Sequence, residues 1–209
     1  MRNLKKFINF LLGIFGYKVT KVKNTEIEIY RNIPNYSVDC IVDVGVFKGT
    51  PWLYNKFISQ NLILIDPFKH PEINSILKNR KFEFYNCAVG SKEGVTNIYQ
   101  DKTSPGKSSI YNRSELTGSN NLIEKKSVKI KTLDQIIQES EYNPKSLGLK
   151  IDAEGYELDV LKGSKDTLQS CKFVICEVSI QKRFENSYEF AQIIYFLHSG
   201  EIRGKPKSD

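Results

Sequence analysis

Short apolar segments of strand length alternate with polar, amphipathic segments along most of the chain. The apolar segments are Cys40–Val44, Leu62–Ile65, Phe82–Val89, Leu147–Ile151 and Phe173–Val178. Nearly continuous apolar runs are typical of parallel strands that helices cover on both faces. The alternation therefore predicts an α/β fold, a doubly wound Rossmann-like sheet in a three-layer α/β/α arrangement.

Cap residues predict where the helices begin. The signals are Thr50 before Pro51, Pro71 ahead of a segment that ends near Leu77, a capping box from Thr132 to Gln135, and Ser187 ahead of a helix that Gly200 ends. Two further strands are predicted at Gly94–Tyr99 and Ser127–Lys131, where polar and apolar residues alternate. The loop between them, 100–126, is long for a compact domain, so we expect it to be functional or mobile.

The first residues form a separate region. Met1–Val22 is basic first and then apolar at helical spacing, and the apolar stretch is too short to span a bilayer. Two interpretations stay open: a helix packed on the domain, or an interfacial anchor that contacts a membrane surface through residues 1–17. We divide the chain into residues 1–37, a basic amphipathic helix with its lead-in, and residues 38–209, the main domain.

Charge and cysteine content narrow the function classes. The 209 residues include 31 basic and 24 acidic side chains, a net charge of +7, which favours anionic ligands. The lysines are scattered, which argues against a nucleic-acid partner. The 4 cysteines form no C-x-x-C pair and only 2 histidines are present, so no zinc site is predicted. Cys40, Cys87 and Cys176 lie in apolar runs, which predicts reduced, buried thiols in a cytoplasmic protein.

A glycine turn follows the first strand, with Asp43 at the strand end and Gly45 and Gly49 in the turn. Such a strand–turn–helix unit lets the backbone approach a ligand closely. The dinucleotide fingerprint G-x-G-x-x-G and the Walker A loop are both absent. S-adenosylmethionine is then the cofactor that this unit favours, although a plain tight turn would have the same pattern.

Polar residues also end the second and third strands. Asp66 follows the second strand, where an acid accepts hydrogen bonds from both hydroxyls of a ribose; an Asp-Pro turn is the alternative. Asn86 and Ala88 lie in the third strand segment, beside the expected position of an adenine. A simple strand end explains these two equally well.

The densest acidic segment begins where the strand Leu147–Ile151 ends. Asp152 follows the strand directly, Glu154 and Glu157 come next, and Glu177 ends the neighbouring strand. Carboxylates at a buried strand tip are costly unless they are paired, hydrated or used. They could act as a base, bind a divalent cation through oxygen, or hold a polyol substrate. For Glu157 a solvated helix face is the alternative.

These pieces together resemble the FkbM-type family of S-adenosylmethionine-dependent methyltransferases. The residues that carry the resemblance are Asp43-Val-Gly45 with Gly49, Ala88-Val-Gly90, Ser108-Ser109-Ile110, Thr132-Leu-Asp134, Lys150-Ile-Asp-Ala-Glu-Gly-Tyr-Glu157, Leu161-Lys-Gly163 and Glu177-Val-Ser179. The resemblance implies a Rossmann-like fold and O-methylation, often of sugar hydroxyls in polysaccharide, glycolipid or natural-product pathways. Two features depart from the family: Asp66-Pro67 replaces Glu-Pro, and the residues after Gly200 are too few for the usual terminal pair of antiparallel strands.

The expected activity is therefore methyl transfer to a hydroxyl of a small molecule or glycan. Asp152 is the predicted base or cation ligand, with Glu154 beside it. Ser108 and Ser109, in the long loop, are predicted to close over the substrate, and Glu177, at the neighbouring strand tip, is predicted to contact it. A non-catalytic module that binds a membrane or a partner is the alternative from another class.

Overall fold

A computed structural model describes residues 32–33, 35–102, 106, 108–111, 123–182, 184 and 186–199. The chain divides into two units, residues 1–34 and 35–209, and the described strands belong to the second. The predicted N-terminal helix and the predicted loss of the terminal strand pair lie outside the described residues. Within the described ranges, no helix has the length and apolar character needed to cross a membrane.

Five parallel strands form the central sheet, which confirms the predicted α/β class. They are β1 (Cys40–Val44), β2 (Asn61–Ile65), β3 (Phe82–Tyr85), β7 (Leu147–Ile151) and β8 (Cys171–Cys176), in the order β3-β2-β1-β7-β8. The chain builds outward from β1 in one direction through β2 and β3, and then in the other through β7 and β8. The order therefore reverses between β1 and β7, and ligands of such sheets bind at the carboxyl ends of the strands at that switch point.

Three further strands form a second sheet. They are β4 (Ala88–Val89), β5 (Gly94–Asp101) and β6 (Ile123–Lys131), in the order β4-β6-β5 with β5 and β6 antiparallel. The prediction of one strand over Phe82–Val89 is wrong. The Cys87 amide donates to the carbonyl of Tyr85 in a turn, and the chain then leaves β2 to pair with β6.

Short helices lie between or after the strands. Among the described residues they are α1 (Pro51–Lys56), α2 (Glu72–Ile76), α3 (Leu133–Glu139), α4 (Glu157–Lys162), α5 (Lys165–Ser170) and, after the last strand, α6 (Phe190–His198). The capping box of Thr132 and Gln135 is confirmed. The prediction for Ser187 is wrong, because α6 begins at Phe190 with Glu189 as its N-cap and Gln192 as the partner in the capping box. The Ser187 hydroxyl donates to the Phe184 carbonyl.

Apolar side chains bury both faces of the central strands. All of β1 and four residues of β2 are buried, and the core continues through β7. The cysteines are free thiols; Cys40 and Cys87 are buried as predicted, whereas Cys176 is half-buried. Two charged residues interrupt this apolar centre. They are Asp43 of β1 and Lys150 of β7, which lie opposite each other in the register of the two strands.

Candidate functional site at the β1–β7 switch point

Asp43 is a fully buried carboxylate near the end of β1. Its exposed fraction is 0%, and its Oδ2 atom accepts hydrogen bonds from Thr50 Oγ1 at 2.8 Å and Tyr54 Oη at 2.6 Å. Thr50 stands at the start of α1, yet its side chain does not cap that helix, because its hydroxyl is directed to Asp43. The Oδ1 atom lies 3.1 Å from Lys150 Nζ, close enough for an ion pair but without the alignment of a hydrogen bond.

Lys150 places one ammonium group among three acceptors. Besides Asp43, its Nζ atom lies 3.4 Å from the Gly45 carbonyl oxygen and 3.5 Å from Asp152 Oδ2. Burial by itself would lower the pKa of Lys150, but the two carboxylates outweigh burial and raise the pKa above its ordinary value. Lys150 is therefore charged and joins the end of β1 to the residue that follows β7.

Gly45 brings the glycine turn into contact with the acidic segment. Its φ is +78°, and a β-carbon at this position would lie 1.7 Å from the Asp152 carbonyl oxygen. The Asp152 amide donates to the Val44 carbonyl at 3.0 Å, and the Gly45 amide donates to the Ile65 carbonyl at 2.9 Å. Gly49, with φ +109°, completes the turn. Only glycine tolerates the backbone approach at position 45.

Asp66 lies at the end of β2, at the mouth of the glycine turn. The Phe47 amide donates to Oδ2 and the Phe68 amide donates to Oδ1, each at 2.8 Å. Burial raises the pKa of Asp66, and these two amide hydrogen bonds oppose that shift. The carboxylate is held in one orientation, and the prediction that it contacts a ribose stays a prediction.

Asn86 and Ala88 occupy different environments. Asn86 is exposed, and its Nδ2 atom donates to the carbonyls of Asp66 and Pro67, so it fixes the backbone after β2. Ala88 is buried in the small apolar cluster of the second sheet. Its side chain packs inside the protein, so a contact of Ala88 with a ligand would have to come from its backbone.

The acidic segment is a tight turn with Glu157 at its centre. Glu154 and Gly155 both have left-handed backbones, with φ of +46° and +98°. The Glu157 carboxylate accepts from the Ala153 amide at 3.0 Å and from the Gly155 amide at 3.0 and 3.1 Å. Burial raises the pKa of Glu157 despite these donors. The alternative of a solvated helix face for Glu157 is wrong, because the carboxylate is buried and closes the turn.

The described part of the long loop supports this turn from outside. The Ser109 hydroxyl donates to the Glu154 carbonyl at 2.6 Å, and the backbone of Ser109 pairs with that of Tyr99. The Tyr111 ring lies edge-on to Tyr156, with ring centroids 5.3 Å apart. Ser109 is buried, so its hydroxyl supports Glu154 rather than facing a substrate as predicted.

The remaining predicted residues lie on more open surface. Ser108 and Glu154 are half-exposed, and Glu177, which follows β8, is exposed. The Glu177 amide donates to the Ile151 carbonyl at 2.9 Å, which places this residue beside the tip of β7. Among the described residues, no group of three or more acidic, histidine or cysteine side chains could hold a metal ion. The predicted cation site therefore has no support in this part of the chain.

Lys150, Thr50 and Tyr54 had no predicted role in the chemistry of the site. A lysine inside an otherwise buried strand is costly without a partner, and that signal could have singled out Lys150. Its partner in β1 could not be identified without the strand register. Tyr54 and Thr50 lie in the segment after the glycine turn. No sequence pattern predicts that their hydroxyls donate to Asp43.

Comparisons with known proteins identify the family. The sequence model of the Methyltransferase FkbM domain matches residues 43–204. The hexuronic acid methyltransferase AglP of Haloferax volcanii is 46% identical over 54 residues, which is 25% of this chain and 22% of that protein. A crystal structure of methyltransferase FkbM from Methylobacillus flagellatus is 17% identical with a TM-score of 0.40, and the match covers 63% of this chain and 30% of that one. The domain match spans most of the chain and confirms the resemblance; this protein belongs to the FkbM methyltransferase family.

Proposed function

We propose that this protein is an S-adenosylmethionine-dependent methyltransferase that methylates a hydroxyl group, with a sugar as acceptor. The observation that carries the proposal is the contact between the glycine turn and the acidic segment. Gly45 lies against the Asp152 backbone at the β1–β7 switch point. A cofactor turn and an acceptor carboxylate at adjacent strand tips can bring a donor and an acceptor together.

The residues at the end of β2 suit a nucleoside. Each carboxylate oxygen of Asp66 accepts one backbone amide, from Phe47 or Phe68. A carboxylate oxygen has two acceptor positions, so each oxygen of Asp66 retains one for a ribose hydroxyl. The two amides fix the direction of those positions. The buried Asp43 has a different role, because Thr50 and Tyr54 occupy its Oδ2 atom; we assign it to holding the turn in place.

Asp152 is the proposed base on the acceptor side. Its side chain is 32% exposed, so a substrate can reach it, and its Oδ2 atom lies 3.5 Å from Lys150 Nζ. When bound, S-adenosylmethionine supplies an electrophilic methyl group on a sulfonium centre. Asp152 accepts the proton of the acceptor hydroxyl as that oxygen is methylated. We assign Glu154, on the same turn, to hydrogen-bonding a neighbouring hydroxyl of the acceptor.

Three observations support a sugar acceptor in the cytoplasm. AglP, the relative that shares 46% identity over 54 residues, is named for a hexuronic acid. The net charge of +7 suits an acidic substrate. The cysteines are free thiols, as is usual in a reducing compartment. Polysaccharide or glycolipid biosynthesis is the pathway class that fits such an acceptor.

The test measures cofactor binding and turnover separately. Calorimetric titration of the wild type with S-adenosylmethionine should show binding, and Asp152→Ala should retain that affinity while methyl transfer to a hexuronic acid is lost. Asp166→Ala, which removes an exposed acid in the first turn of α5, is the control and should remain active. If the folded wild type binds no S-adenosylmethionine, the proposal fails and the non-catalytic alternative is favoured.

A further inference from the structure

Lys150 lies where the two halves of the proposed site meet. Its side chain is 12% exposed, and its strand β7 is otherwise buried and apolar. The three acceptors around Nζ come from different segments: Asp43 from β1, the Gly45 carbonyl from the turn, and Asp152 from the segment after β7.

We propose that Lys150 is a positioning residue that fixes the Asp152 carboxylate against the cofactor turn. The inference rests on the proposed methyl transfer and adds a residue to that site. Lys150 does not contact the reacting atoms in this assignment. It acts by holding the carboxylate that receives the proton.

The geometry of the ammonium distinguishes positioning from simple charge neutralisation. A lysine that only neutralised Asp43 would need one contact, at 3.1 Å. Lys150 Nζ also donates a hydrogen bond to the Gly45 carbonyl at 3.4 Å and lies 3.5 Å from Asp152 Oδ2, within ion-pair distance. Because the group is mostly shielded from water, salt screens these interactions little.

The position of Gly45 explains why the orientation of the Asp152 side chain matters for the reaction. The turn and Asp152 are already in backbone contact, so their main chains are fixed relative to each other. The Asp152 side chain is not fixed by that contact. The ion pair with Lys150 holds its Oδ2 atom, and displacing a catalytic group by about 1 Å can reduce a rate by about 100-fold.

A double variant separates this role from folding. Lys150→Met alone leaves the Asp43 carboxylate buried without its cation, and we expect Tm to fall by roughly 6–20 °C. Combining Lys150→Met with Asp43→Asn removes both buried charges, so Tm should recover toward the wild-type value. Lys131→Met, which breaks the more exposed ion pair with Glu139, is the control and should leave Tm and turnover unchanged.

The decisive measurement is the crystal structure of the folded double variant beside that of the wild type. We expect the Asp152 carboxylate to leave its wild-type position and kcat with a hexuronic acid to fall about 100-fold. Because Asp43 holds the turn, Asp43→Asn alone is the reference for cofactor binding, and the S-adenosylmethionine affinity of the double variant should stay within about threefold of that variant. An Asp152 carboxylate that keeps its position in the double variant overturns the inference. Wild-type protein that binds no S-adenosylmethionine overturns the proposed function instead, so the two failures are distinguishable.

Discussion

The contact between Gly45 and Asp152 can be tested by adding a single carbon atom. In Gly45→Ala the new β-carbon would lie 1.7 Å from the Asp152 carbonyl oxygen and 2.8 Å from its carbonyl carbon. Both atoms belong to the backbone, so no side-chain rotation can relieve the overlap. The turn after β1 and the segment after β7 would have to move apart.

The cost of Gly45→Ala has two parts. A non-glycine residue at φ +78° incurs a left-handed backbone penalty of about 1–2 kcal/mol. Overpacking against a fixed neighbour adds about 1–3 kcal/mol. Together they lower the free energy of unfolding by about 2–5 kcal/mol, which corresponds to a Tm decrease of roughly 4–20 °C for a chain of this size.

Urea and thermal unfolding measure this change against a matched control. Gly94→Ala adds the same atom at the start of β5, where nothing lies within 4 Å of the new carbon. We expect that variant to unfold within about 0.5 kcal/mol of the wild type. If Gly45→Ala also unfolds within that margin, the contact between the turn and the acidic segment is not as described.

Three further predictions concern the supports of the site and the thiols. Ser109→Ala removes the hydrogen bond to the Glu154 carbonyl and should lower the urea-unfolding free energy by about 1 kcal/mol; no measurable loss would contradict that support. Burial raises the pKa of Glu157 in the folded state, so the native state binds the extra proton. The stability of the wild type relative to Glu157→Gln should therefore be largest below the ordinary carboxyl pKa and fall as pH rises through the folded-state pKa. If the stability of the wild type relative to Glu157→Gln grew as pH rose, the pKa of Glu157 would be lowered in the folded state, contrary to this assignment. Burial raises the pKa of Cys40 to about 12 and that of Cys87 to about 11, so iodoacetamide should label both slowly at neutral pH until urea unfolds the protein; rapid labelling of the native protein, followed by mass spectrometry, would contradict their burial.

Local sequence signals predicted the central sheet with few errors. Continuous apolar runs identified β1, β2 and β7, because strands that are buried on both faces admit little else. The capping box at Thr132 was also correct, since its two hydrogen bonds form within one turn. Where two interactions competed for one side chain, the local signal was misleading: Thr50 precedes α1 but donates to Asp43.

The candidate site was only partly visible in the sequence. Gly45, Asp66 and Asp152 were predicted from their places at strand ends, and the structure brings the turn and the acidic segment into contact. Ser109 was expected to face a substrate, whereas its hydroxyl supports Glu154. A hydroxyl can donate to a ligand or to the backbone, and only the loop's path decides between them.

The sequence by itself determined the fold class, the family and the residues at the ends of the strands, because strand burial and glycine turns are properties of short segments. The tertiary structure alone decided how these residues act on one another. Lys150 meets Asp43 because β1 and β7 pair in a particular register, although the two strands are far apart in the chain. The energy of a buried charge depends on which opposite charge lies a few ångströms away, and that distance is set by strand pairing rather than by any local pattern.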